Sequence, residues 1–507
     1  MTRTAELLRL VLSVVGLAIT AGCSTYVRQP TGALNAAHDE ARVDRVANGL
    51  LWPVAVRGAP ATPMRLTDRM KALNVPGVSV AVIDGGRIAW ARAWGVARAG
   101  SDRLATPSTL FQAASISKPV TAVAALRWAA GHQISLDEDV NARLRTWHLL
   151  GATTAIQPAV TARALLSHTA GLDEDGLPGY GADAACPDLL HVLRGAPPAT
   201  NPPVQLREAP GLHYAYSSLG YAALQQYLID ATGQSFDRLV ESTVIAPVAM
   251  RDSIFATDLP PALAARAAAG HALDGTPLPG GWNRYPELAA AGLWTTASDL
   301  ARFVLALQQA AAGANDNFLS RQQTSTLWTP VLADYGLGFE LDHQGREAVF
   351  HHSGSNAGYK ALLFAYQATG QGAVILTNGD NGWPLIEELM RSIAAEYGWG
   401  DWHPVERIAA PPHPNIYDRL AGAYQVSNIV LRVTRAGDRL YVSGPPLGAA
   451  PVELISAGGD DFFVVEKDAT LHFVVSEHAQ VDTITFFDGR PRPGKRVPDG
   501  SQPTVGY

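Results

Sequence analysis

The sequence predicts an α+β protein: an antiparallel sheet flanked by helices, carrying a helical insertion and followed by a small all-β domain. Three observations predict it. Apolar, strand-like runs occur early, at 78–83 and 87–94, and return late, near 335–341 and at 346–352, 359–366 and 372–377. Between them, from about 160 to 310, the pattern is helical with many loops. Beyond a Pro-rich stretch at 403–414, short alternating strands run towards the end of the chain. Early and late strands sharing one sheet, with helices between, give the segregated layers of an α+β domain. Short alternating strands bounded by turns give a separate β module.

Composition narrows the possibilities. At 507 residues, 47% hydrophobic and 17% charged, the chain has material for two or three domains and a large core. A net charge of −7 and the lack of any basic run argue against a nucleic-acid binder. Its two cysteines, Cys23 and Cys186, cannot build a disulfide framework. No motif calls for a metal or another cofactor.

Residues 1–27 read as an export signal. Arg3 and Arg9 precede an apolar run, 10–20, that is short for a spanning helix. Thr20, Ala21, Gly22 and Cys23 resemble the lipobox of bacterial lipoproteins, with Thr20 in place of the usual leucine. That resemblance implies lipidation of Cys23; a plain secretory signal cleaved at small residues is the alternative. Either reading sends the mature protein to an exported compartment. Ser24 after the cysteine fits the outer membrane if the source is Gram-negative. No later segment reads as a spanning helix, so membrane contact is expected through a lipid anchor only.

A tether is expected over 28–40, then helices from about Asp39 and over 64–73. Strands 78–83 and 87–94, joined through Asp84, Gly85 and Gly86, form a hairpin. A helix from Ser115 ends near Gly131, and a short one over 161–172 closes at a glycine. Pro, Gly and Asp crowd 173–213, an irregular excursion of the kind that lines a cleft. Helices follow over 222–231, 299–312 and 384–397, the last after the late strands. Residues 401–415 form a linker, and strands at 429–433, 439–442, 461–466, 470–475 and 481–487 build a β domain over 416–507.

Three short motifs carry chemistry. Ser115 and Lys118 lie three apart at a helix start, so they share a face. The ammonium and the positive helix end both favour an alkoxide on Ser115. Alone, the pair reads rather as an N-cap serine with a solvated lysine. Tyr216, two residues before Ser218, could lose its proton below its free value of about 10 beside an ammonium and act as a base. Alone it is a buried aromatic. His352 and Gly354 follow a strand, where a glycine lets a substrate approach the backbone closely.

Together and in this order the motifs resemble the serine β-lactamase and penicillin-binding-protein superfamily, in its class C β-lactamase-like and esterase branch. The matching stretches are Ser115 to Lys118, 165–172, Tyr216 to Ser218, 291–300 and His352 to Gly354, and the likeness covers about 60–400. It implies a β-lactamase/transpeptidase-like domain over 41–400 with Ser115 as nucleophile, Lys118 lowering its proton affinity and Tyr216 as base. The N–H groups of Ser115 and Ser355 would form an oxyanion hole, often worth roughly 3–4 kcal/mol. His168 reads as structural. The β domain resembles the barrel or lipocalin-like appendage of some members, expected to cover the cleft, mediate oligomers or simply stabilise.

Two departures bear on substrate. Ser218 stands where the family's Tyr-x-Asn has an amide, and a hydroxyl keeps only part of its hydrogen bonding. His352 stands where penicillin-recognising members carry a lysine, and it is mostly neutral near pH 7. Both favour a serine hydrolase acting through an acyl-enzyme on an ester or amide, small molecule or peptide, over an efficient β-lactamase. A true β-lactamase or D-Ala carboxypeptidase, and a lipoprotein that binds cell-wall fragments or penicillin without turnover, remain alternatives. Oligomeric state is left open.

Overall fold

A six-stranded antiparallel sheet organises the first 400 residues. Its strands are β1 (Gly77–Asp84), β2 (Arg87–Gly95), β3 (Glu340–Asp342), β4 (Val349–Asn356), β5 (Tyr359–Tyr366) and β6 (Gly372–Thr377), in the spatial order β2-β1-β6-β5-β4-β3. The early hairpin and the late strands therefore share one sheet, as the sequence predicts. This computed structural model describes residues 31–152, 159–342, 347–445, 447–475 and 481–500. The expected export signal, with Cys23, lies outside the described residues.

In chain order the principal helices are α1 (Thr31–Ala47), α2 (Ser117–Gly131), α3 (Ser218–Thr232), α4 (Ala297–Ala311) and α5 (Gly382–Tyr397). The sheet is buried on both faces, and the period-two alternation of each strand assigns its side chains. Val78, Val80, Val82, Phe364 and Ile375 pack with α1 and α5. Ala81, Ala361, Leu363, Ala365 and Leu376 face the other way, into the core shared with α2, α3 and α4. Helix α2 is buried along almost its whole length, from Ser117 to Ala129. It is the spine of the helical layer, which is why its sequence shows no amphipathic stripe.

Several boundaries differ from expectation. Residues 31–47 form a helix, so most of the expected tether is helical. Helix α3 starts at Ser218, not 222, because Ser217 caps it by accepting from the Gly220 N–H at 3.1 Å. Strand β3 begins at Glu340; Tyr335 precedes it in a turn, with Val331 N–H donating to its carbonyl. The expected linker contains a strand, Val405–Arg407, that pairs in parallel with Val54–Val56.

Beyond it, eight strands from Gly422–Val426 to Pro491–Val497 close into a barrel. Strands Gly422–Val426, Gly448–Gly458 and Pro491–Val497 escaped the sequence reading, which found the other five. Tyr424, Leu431, Leu440, Phe462, Leu471, Phe473 and Phe486 fill the interior, so the barrel holds a packed core where a lipocalin-like cup would hold a cavity. It meets the rest of the chain at Ala410, whose N–H donates to the Ser456 carbonyl, and at the Arg407–Asp468 ion pair of 2.6 Å. Among the described residues no helix is long and apolar enough to cross a membrane.

Candidate active site

Ser115 lies in a single 3-10 turn, Ala114–Ile116, immediately before α2. Its neighbour Ala114 has φ of +49°, a conformation rare outside glycine that costs about 1–3 kcal/mol. The surroundings impose it. Strand Phe111–Gln112 pairs with Leu293–Thr295; the Ala113 N–H donates to the Leu293 carbonyl at 2.9 Å, and the Leu293 N–H donates to Ser117 Oγ at 3.0 Å. The 291–300 stretch thus clamps the nucleophile turn from both sides.

Lys118 is completely buried, one turn along, and its Nζ donates to Ser115 Oγ at 3.1 Å. It also reaches Ser218 Oγ and the Ala290 carbonyl, each at 3.3 Å. The Tyr216 ring lies 4.7 Å from Nζ. Loss of hydration brings this ammonium down to about 7, against a smaller opposing pull from Asp175. A neutral amine in contact with a serine hydroxyl can take its proton.

Tyr216 interacts with Ser115, but burial pushes its phenol well above the ordinary value, outweighing that contact. The expectation that a nearby ammonium would make Tyr216 a phenolate base is therefore corrected: desolvation of the anion is the largest influence on this phenol, and it raises it. Its hydroxyl remains able to accept and donate a proton at once. Ser218 holds Lys118 through one oxygen, as far as its short side chain allows.

His168 fixes the Tyr216 turn. Its Nδ1 accepts from the Ser217 N–H at 3.0 Å, its carbonyl accepts from Ala215 N–H at 2.9 Å, and its ring stacks on Tyr216 at 4.3 Å. That is the structural role expected of it. His352 is buried, with Nδ1 2.6 Å from the Ser353 carbonyl and Nε2 3.1 Å from Tyr335 Oη. Nδ1 must donate, so Nε2 accepts, and burial holds the ring neutral, down to about 4. Both nitrogens are taken, so His352 offers a substrate neither a charge nor a free donor.

Gly354 brings β4 against the nucleophile turn, since a Cβ there would lie 2.3 Å from the Ala113 carbonyl oxygen. The two-residue turn between β4 and β5 closes on the Asn356–Tyr359 pair. Alternation then turns the Ser355 N–H away from β5. On that side β3 has already ended, its last pairing being Glu340 with His351. Ser355 is exposed, and on that side its N–H has no strand partner among the described residues.

Two acids escaped the sequence reading. Asp175, in the loop after residues 165–172, accepts from the N–H groups of Ser218 and Leu219 and from Ser217 Oγ. Glu287 is buried before the short helix Leu288–Ala291, and burial pushes its carboxyl up to about 7. The acidic run Asp173, Glu174, Asp175 within a cleft-like loop was a signal for the first; nothing marked the second. Among the described residues no three His, Cys, Asp or Glu side chains converge on a metal position.

The Beta-lactamase family model matches residues 65–395, which holds every motif above. The chain belongs to the beta-lactamase family. It is 27% identical over 377 residues to penicillin-binding protein 4 of Amycolatopsis lactamdurans, covering 69% of this chain and 93% of that one. Esterase EstB of Burkholderia gladioli is 32% identical over 189 residues, 34% of this chain and 46% of its own. The octameric penicillin-binding protein homologue from Pyrococcus abyssi superposes with a TM-score of 0.59 at 20% identity, over 85% of this chain and 98% of that one, a likeness of fold. Family and site together make this chain a serine hydrolase of the β-lactamase fold.

Proposed function

We propose that Ser115 attacks an ester or amide carbonyl with Lys118 as its base and Tyr216 as proton relay. One observation carries this reading: a buried amine brought to about 7 stands 3.1 Å from the Ser115 hydroxyl. Neutral Lys118 takes the Oγ proton as Oγ bonds to the carbonyl carbon, and the oxyanion is held by the N–H groups of Ser115 and Ser355. The proton then passes through the Tyr216 hydroxyl to the leaving oxygen or nitrogen as its bond to carbon breaks. Water enters along the same route in reverse: its proton passes through Tyr216 to Lys118 as its oxygen bonds to the acyl carbon, and Lys118 returns that proton to Ser115 Oγ as the acyl–Oγ bond breaks and the acid leaves.

The engaged, neutral His352 supports a substrate without a carboxylate beside the scissile bond. This favours esterase or peptidase action over efficient β-lactam hydrolysis, in line with one relative being named an esterase. A fluorophosphonate should label wild type and leave Ser115→Ala unlabelled; equal labelling defeats the assignment. A panel of p-nitrophenyl esters, nitrocefin and a D-Ala-D-Ala peptide then ranks the substrates, with esters expected to lead. The 1–27 leader supports export with lipidation at Cys23, to be tested by palmitate labelling of wild type against Cys23→Ser.

A further inference from the structure

Lys118 is the buried cation of the site, yet every group it touches is neutral. Its acceptors are Ser115 Oγ, Ser218 Oγ and the Ala290 carbonyl. The rings of Tyr216 and Tyr221 lie 4.7 and 5.6 Å from Nζ. His168 and His352, also packed nearby, are held neutral chiefly by burial, with Lys118 adding to it as a like charge. One carboxylate acts on Lys118 in the opposite sense, and that is Asp175.

Among the described residues no ion pair joins the two; the path runs through Ser218. Asp175 Oδ1 accepts from the Ser218 N–H at 2.8 Å, while Ser218 Oγ accepts from Lys118 at 3.3 Å. Asp175 Oδ2 accepts from Ser217 Oγ at 2.5 Å, and the Leu219 N–H reaches both carboxylate oxygens, at 3.2 and 3.1 Å. These donors sit at the N-terminal end of the fifteen-residue α3, where the helix dipole favours an anion. They oppose the burial that pushes the Asp175 carboxyl up, and so favour its charged form. The carboxylate also pins Ser217 and Ser218 from outside the helix, which a serine at 218 needs. A single hydroxyl cannot both grip Lys118 and brace its own backbone, whereas Asp175 does the bracing.

We infer that Asp175 is a positioning residue of the reaction: across Ser218 it holds the Tyr216–Ser218 turn in place and supplies the counter-charge to Lys118. It never touches the reacting atoms. The inference rests on the proposed role of Lys118 as base.

The sign of the effect is fixed. A carboxylate favours the ammonium, so removing its charge makes Lys118 easier to deprotonate. Asp175→Asn keeps the shape, since its amide oxygen can accept from the Ser218 and Leu219 N–H groups and its nitrogen can face Ser217. With an ester substrate, wild-type kcat/KM should rise through an acid limb near 7. In Asp175→Asn that limb should move to lower pH by roughly half to one unit. Asp175→Glu, which keeps the charge, should retain the wild-type limb, and Asp175→Ser gives the same reading if Asp175→Asn fails to fold.

Glu287 is the control, because burial brings it also to about 7 and it faces Asp175 as a like charge. Glu287→Gln should leave the limb in place; its disappearance there would assign the limb to Glu287 and overturn the inference. A wild-type profile with no acid limb defeats the Lys118 assignment and this inference with it. A limb present in wild type but unmoved in Asp175→Asn defeats the inference alone and reduces Asp175 to a helix cap.

Discussion

Gly354 and Ala113 meet backbone to backbone, at a separation that leaves no room for even a methyl group: a Cβ on Gly354 would stand 2.3 Å from the Ala113 carbonyl oxygen. That contact sets β4 beside the Ser115 turn, and so would set the spacing of the two N–H groups proposed to hold the oxyanion. Gly354→Ala must push the strand away. Loss of oxyanion stabilisation should lower kcat about 10²–10³-fold. Binding of a neutral substrate should weaken less, so kcat falls more than KM rises. A variant with wild-type kcat would show that the strand is not held there in the reacting enzyme.

Lys118 is costly to the fold and necessary to the chemistry. The fully buried ammonium touches only neutral acceptors, and Asp175 acts on it from beyond Ser218, so the loss of hydration outweighs what these partners return. Lys118→Met should therefore fold with a Tm equal to or above wild type, while activity falls about 10²–10⁴-fold for loss of the base. Lys118→Arg should be as inactive across the pH range, because a guanidinium does not give up its proton. Thermal scans and initial rates on the same preparations check both. Substantial turnover by Lys118→Arg would rule out a neutral base at this position.

Tyr216→Phe removes the relay hydroxyl and keeps the ring that stacks on His168 at 4.3 Å. The variant should fold normally and lose about 10²–10⁴-fold in kcat, with the acid limb of kcat/KM still near 7. The loss should be smaller for esters with acidic phenol leaving groups, which need no proton to depart. An equal loss for p-nitrophenyl and alkyl esters would contradict the relay.

Stability should fall on mild acidification, through the buried histidines. His352 is held down to about 4 by burial, below its ordinary 6.5, and His168 is lowered likewise. Above 6.5 neither folded nor unfolded chain carries the proton, and no stability difference arises. Below 6.5 the unfolded chain is protonated first, so stability is lost until the folded state also takes the proton near 4. His352 contributes about 1.4 kcal/mol per pH unit within that window, and His168 acts in the same direction. In urea titrations between pH 7 and 4, His352→Asn should show a shallower decline than wild type; parallel slopes would contradict it.

The sequence made the sheet and the reacting residues readable because both depend on residue type at fixed spacing. Strand periodicity exposes β1, β2, β5 and β6, and Ser115 with Lys118 must lie one turn apart to touch. Effects set by burial and by loop path were not readable. An ammonium near Tyr216 suggests an acidic phenol, but only its depth in the fold shows that desolvation prevails. His352 reads as a weaker lysine until its two nitrogens are seen to be occupied. Asp175 lies in a loop without periodicity, forty-two residues from the Ser217 hydroxyl it accepts from. Strand Val405–Arg407 hides among prolines because its partner is some 350 residues away.

Helix α1 lies beside α5 on one face of the sheet, and Ser115 and α2 lie on the other. The chain therefore enters the domain at the back of the enzyme. An attachment point upstream of α1, whatever its chemistry, would pull on the rear of the sheet, the face away from Ser115.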